Sequence, residues 1–301
     1  MNVPEGKIKM YQGTEARAIM HNALTKTYPD GGTKTLVADR PIFRERGWEE
    51  RGSLGGHGRR KLSRGRCKLS RRLQGKGRLR VVRRSSPDRE ERERDNLERS
   101  KRRARSAVYD LARSTDFRYF VTLTVSPEKV DRLDDEAVFK KLHNWLDNNV
   151  RRHGLTYVLI PEYHKKGGLH FHAFFNDALP AVDSGTLSVP GVKRPRKPRS
   201  EAERRRLLDG GAHIVYNLPG WDFGFTTALE LYGDRRAAVG YVVKYITKAE
   251  RKIGGRWYYS GGNLRRPEVR AHDLDFDAAY GEAGSGFEIG SLGAICCSLE
   301  G

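Results

Sequence analysis

Two histidines and two tyrosines are the residues of this sequence best placed to do chemistry. His170 and His172 stand in LHFHAFF with one apolar residue between them. A strand alternates its side chains with period two, so both imidazoles leave one face of a sheet and can share a metal ion. Tyr241, Tyr245 and Lys248 stand in GYVVKYITKAE at i, i+4 and i+7, one stripe of a helix. Val239, Val242, Val243 and Ile246 form the opposite, core-facing stripe. A phenol titrates near about 10. Neighbouring ammonium groups, here Lys244 and Lys248, favour its anion and stabilise negative charge on a phosphate. A tyrosine in that setting is suited to nucleophilic attack. Each half of the pattern is weak by itself, since surface histidines alternate by chance and polar helix faces often carry tyrosines.

A third metal ligand is expected on the preceding strand. Glu162 ends TYVLIPE, a run otherwise free of charge. Residues opposite each other across a hairpin share a side of the sheet, so the loop length decides where Glu162 points. A three-residue loop, Lys165-Lys166-Gly167, sets Glu162 opposite His170 and Ile160 opposite His172, with Gly167 at the left-handed position. A two-residue loop at Lys166-Gly167 turns Glu162 to the other face. His164 has the same parity and is the rival ligand. Two imidazoles, a carboxylate and open water positions suit Mn²⁺ or Mg²⁺ acting on a phosphate. A closed zinc site wants a fourth protein ligand, and none is found.

The elements that must position these residues follow from periodicity. YFVTLTV, beginning at Tyr119, alternates as a half-buried strand. Val138, Leu142, Trp145, Leu146 and Val150 recur at helical spacing after Asp134 and Asp135. TYVLIPEYH and LHFHAFF are two strands of a hairpin, GFTTALEL a further strand, and GRWYYSGG a last short one. Residues 180–211, Pro-rich and basic, look like a surface insertion. Residues 87–114 place acids before bases, which suits a helix that docks through Val108, Tyr109 and Leu111. The order implies an α+β fold with a mostly antiparallel sheet covered by helices on one face.

Composition bounds the partner. The net charge is +20 and the pI about 10.0. An excess of Lys and Arg on this scale favours a polyanion, because each phosphate neutralised releases counterions. Residues 51–86 hold 14 Arg and Lys and no acid, which suits a disordered basic stretch that tethers DNA non-specifically, and 1–86 as a whole reads as a basic, largely disordered arm. Residues 87–118 read as the charged helix, 119–262 as the compact domain and 263–301 as a Gly-rich tail. The three cysteines, Cys67, Cys296 and Cys297, form no CxxC pair, and no disulfide framework is expected. The N-terminus lacks the apolar stretch of a signal peptide, and no run is long enough to span a bilayer. A cytoplasmic protein without membrane partners is the default expectation.

Three segments carry a family resemblance. LHFHAFF resembles the His-hydrophobic-His motif of the HUH endonucleases, YFVTLTV is similar to their first motif, and GYVVKYITK resembles the third motif of rolling-circle replication initiators. The paired tyrosines with a following lysine are most similar to initiators of single-stranded DNA phages and related plasmids. The resemblance covers residues 119–262 and implies a five-stranded antiparallel sheet with helices packed behind it. It implies His170 and His172 as metal ligands with Glu162 beside them. It implies that Tyr241 or Tyr245 attacks the scissile phosphate and forms a 5′-phosphotyrosine intermediate, and both Tyr-x-x-Lys pairs fit. The partners implied are single-stranded or hairpin origin DNA and a host helicase and polymerase. The rival without catalysis is a sheet-based RNA- or DNA-binding module in which Phe171 and Phe174 stack bases. A second rival is a zinc hydrolase that uses water as nucleophile.

Overall fold

The computed structural model describes residues 7–9, 15–17, 20–44, 89–131, 133–164, 167–231, 235–282, 287–289 and 294–297; at some of these, Tyr241 and Val242 among them, it describes the backbone alone. In chain order the elements begin with short N-terminal strands: β1 (Lys7–Lys9), β2 (Glu15–Arg17), β3 (Met20–His21), β4 (Ala23–Thr27), β5 (Thr33–Ala38) and β6 (Phe43–Arg44). Then come α1 (Arg89–Ser114), β7 (Tyr119–Val125), α2 (Asp135–His153), β8 (Tyr157–Tyr163), β9 (Leu169–Phe175) and β10 (Val182–Ser188). They are followed by α3 (Glu201–Asp209), β11 (His213–Asn217), β12 (Gly224–Glu230), α4 (Arg235–Lys248) and β13 (Tyr259–Gly261). The chain closes with β14 (Glu268–His272), α5 (Phe276–Glu282), β15 (Phe287–Ile289) and β16 (Ala294–Cys297).

The fold is α+β, built on an antiparallel sheet of seven strands in the order β10-β11-β12-β7-β9-β8-β13. Five strands were expected. The difference lies at the β10 edge, where the segment read as a surface insertion, 180–211, supplies β10 and α3 and leads into β11. VDSGTLS lacks apolar alternation because it is an edge strand, mostly half-buried and held by its backbone ladder. Ser200 caps α3 by accepting from the Glu203 N–H at 3.2 Å.

Helices cover both faces of the sheet, not one. α2 lays Val138, Leu142, Trp145 and Leu146 on the side carrying Val121, Leu123, Leu159, Phe171 and Phe175. Asp134 starts this helix by accepting from the Ala137 N–H, and Gly154 ends it in the left-handed conformation. On the opposite side α1 and α4 bring Val108, Leu111, Val239, Val243 and Ile246 against Val158, Ile160 and Phe174. The strands explain the two layers. LHFHAFF is apolar on its odd positions throughout and turns apolar on the even ones only at Phe174, so one face is wholly core and the other only partly. The docking residues expected on α1 hold: Val108 and Leu111 are buried and Tyr109 is partly so.

Residues 20–44, within the 1–86 arm expected to be largely disordered, form regular structure. β4 and β5 form a hairpin around Asp30-Gly31, with Gly31 at φ 80°. That turn signal is flanked by the strand-forming runs ALTKT and TKTLVA. They pair with β14 and β16 from the expected tail, in a second sheet of order β14-β4-β5-β16-β15. Tyr28 donates to Asp110 at 2.8 Å and Arg113 pairs with Asp30 at 2.8 Å, tying this sheet to α1. Residues 51–86, and with them the proposed DNA tether, lie outside the described residues.

Candidate active site

The hairpin of β8 and β9 takes the three-residue loop. His164 N–H donates to Gly168 O at 2.7 Å, and Gly167 sits at φ 88°. Glu162 therefore stands opposite His170, and Ile160 opposite His172. On the other side of β9 the register sets Thr124 opposite His170 and Thr122 opposite His172. Two lateral rows result, Thr124–His170–Glu162 and Thr122–His172–Ile160, all on the face that α1 and α4 cover in part.

Each imidazole is fixed through its Nδ1. That of His170 lies 3.2 Å from Thr124 Oγ1, and that of His172 lies 3.3 Å from Thr122 Oγ1. A hydroxyl both donates and accepts, so it holds the ring in either tautomer. With Nδ1 turned to the strand, Nε2 is the atom presented outward. His172 Nε2 lies 2.9 Å from Glu162 Oε2, a contact diagonal to the strand pairing. His164 is beside the other imidazole, its ring 4.9 Å from that of His170. The pairing of Thr122 with His172 and of Thr124 with His170 follows from strand register.

Tyr245 closes the site from α4. Its ring stacks on His172 with centroids 3.8 Å apart and planes 16° from parallel, and Lys248 Nζ lies 5.8 Å from the Tyr245 ring centroid. Val239, Val243 and Ile246, on the opposite stripe, are buried and orient the helix. Lys244 and Lys248 are exposed. The side chain of Tyr241 lies outside the described residues. His172 is only 9% exposed. Burial pushes its pKa below the usual imidazole range and Lys248 adds to that, while the Glu162 carboxylate opposes it. A neutral imidazole, the form a metal requires, is thereby favoured.

Among the described residues, no group of three or more His, Cys, Asp or Glu side chains is arranged to hold a metal ion. By residue type, His170, His172 and Glu162 are the groups that would hold a divalent cation. Two imidazoles with their second nitrogens engaged and one adjoining carboxylate form a mixed nitrogen and oxygen set. The aromatics expected of a base-stacking sheet do not serve that purpose, because Phe171 and Phe174 are fully buried. Among the described residues, no helix is long and apolar enough to cross a membrane.

The chain between β7 and the end of α4 is the part that carries these residues. Residues 118–250 match the family model of the replication-associated protein ORF2. The match starts one residue before β7 and ends two residues after α4, so it contains His170, His172, Glu162, both tyrosines and both lysines. It supports a role in replication initiation. No curated protein and no solved structure matches the chain.

Proposed function

We propose that this protein is an HUH-type replication initiator that nicks and rejoins single-stranded origin DNA through a 5′-phosphotyrosine intermediate. The observation that carries the reading is the stacking of Tyr245 on His172, which brings a phenol from α4 onto the histidine face within the replication-family match. In the cleavage step the phenol oxygen bonds to phosphorus and the P–O3′ bond breaks. The phenol proton passes to solvent, and the departing oxygen takes up a proton as a free 3′-OH, which primes a polymerase. Lys244 and Lys248 offset the charge that builds on the phosphate. Mn²⁺ or Mg²⁺ held by His170, His172 and Glu162 would polarise a non-bridging oxygen. The phosphotyrosyl bond conserves the phosphodiester energy, so attack by a 3′-OH reseals the strand. Either Tyr241 or Tyr245 starts, and the other is free to act in rejoining. A host helicase and polymerase are the partners this scheme requires, in the cytoplasm of a cell carrying the phage or plasmid.

The test uses labelled single-stranded fragments tiling the replicon that encodes the chain, incubated with the protein and Mn²⁺. A denaturant-resistant protein–DNA band is expected, lost in the double variant Tyr241→Phe, Tyr245→Phe. A band that survives in that variant, or cleavage with no band at all, overturns the tyrosine mechanism; the latter is what a water-using hydrolase gives. Single variants report which tyrosine nicks first.

A further inference from the structure

The sheet face that carries the histidines is covered over β8 and β9 and open over β12. β12 pairs with β7 so that Phe225 stands opposite Thr124 and Thr227 opposite Thr122. The lateral rows thus continue as Phe225–Thr124–His170–Glu162 and Thr227–Thr122–His172–Ile160. Along β12 the even residues Thr226 and Ala228 are buried on the α2 side, while Phe225 and Thr227 are exposed on the histidine side. Phe225 is 71% exposed, the most exposed of the large apolar side chains described. It is not on a loose loop. The neighbouring Gly224 lies so close to β7 that a Cβ would come within 2.1 Å of Thr124 O, so the backbone there is pressed against the site strand. At a strand spacing of about 4.8 Å, Phe225 lies roughly 10 Å from His170 across the sheet.

We propose that Phe225 stacks on a base of the single-stranded DNA and so positions the strand across the open half of the histidine face. The inference rests on the nicking reading for its choice of ligand. A rigid, solvent-facing aromatic two strands from the metal-ligand row suits a base flanking the scissile phosphate, because every base offers a π-face. Thr227 and Thr122 add hydroxyls along the same path. Beyond β12 lie β11 and β10, and the loop after β10 exposes Lys193, Arg194 and Lys197, which attract the phosphates that continue past the aromatic. A buried core aromatic cannot take this part, and Phe171 and Phe174 are excluded on that ground.

The test is binding of a fluorescein-labelled oligothymidylate to the full chain, by anisotropy, at raised salt where the contribution of Lys and Arg falls. Phe225→Ala is expected to weaken binding about tenfold or more, the loss of one base–aromatic stack. Phe225→Trp is expected to keep the affinity and to add a fluorescence signal that unlabelled oligothymidylate quenches and duplex DNA does not. Wild-type affinity in Phe225→Ala, or no quenching of the added tryptophan, overturns the proposal. The two readings fail separately. Binding that depends on Phe225 without any covalent adduct overturns nicking alone, and an adduct with binding indifferent to Phe225 overturns the stacking role alone.

Discussion

The two faces of the seven-stranded sheet are made from the same strands and differ in nearly every physical property. Toward α2, residues such as Val121, Leu123, Leu159, Phe171 and Phe175 form one continuous apolar layer with Leu142 and Leu146. Toward α1 and α4 the same strands present Thr122, Thr124, Glu162, His170 and His172, and only their far ends join a smaller core around Val158, Ile160 and Phe174. One face supplies stability, which leaves the other able to carry polar groups that would weaken a core. The candidate site is therefore supported from behind. Its histidines sit on strands fixed by a full hydrophobic layer, and their rotamers are held by hydroxyls on the neighbouring strand.

That division can be broken experimentally. The largest effect is expected from the polar face: His170→Ala or His172→Ala should reduce covalent adduct formation by roughly a hundredfold or more, since several kcal/mol of charge stabilisation at the phosphate is lost. Chelation with EDTA should do the same and be reversed by Mn²⁺. Adduct yields unaffected by either treatment would remove the metal from the scheme. Next comes the apolar face. Leu146→Ala, at a fully buried position, should lower unfolding free energy by about 2–5 kcal/mol in urea denaturation. Adduct formation per folded molecule should stay near wild type. A nicking defect without a stability defect would show that the faces are not separable in this way.

The smallest expected effect tests the histidine partners. Thr122→Val and Thr124→Val keep the side-chain shape and remove the hydroxyl facing each Nδ1. Each should weaken Mn²⁺ binding about 10–100-fold, read by titrating the metal dependence of adduct formation, with thermal stability little changed. Metal affinity equal to wild type in both variants would leave these threonines with sheet packing alone.

How much of this was legible beforehand depends on the distance over which each feature is decided. The His170–His172 pair and the Tyr245–Lys248 stripe are local, set by strand and helix periods within a few residues. The facing of Glu162 was legible as a condition: it required an odd loop, and Gly167 offered the residue such a loop needs. The hairpin around Asp30-Gly31 carries a turn signal, but the strands that complete its sheet, β14 and β16, come from the far end of the chain and leave no local trace. β10 gave little local signal, because an edge strand such as VDSGTLS is stabilised by backbone pairing and leaves its side chains unpatterned.

The sequence by itself determined the candidates for binding a metal and for attacking a phosphate, because residue type and short-range period suffice to name them. Only the tertiary structure decided that helices cover both faces and that the N- and C-terminal segments share a second sheet. It alone set Thr122 and Thr124 beside the imidazoles, stacked Tyr245 on His172 and left Phe225 in the open. The physical reason is that these depend on strand register and helix docking between segments tens of residues apart. A one-residue slip in register moves every side chain to the opposite face, and no local pattern records which slip the whole sheet makes most favourable.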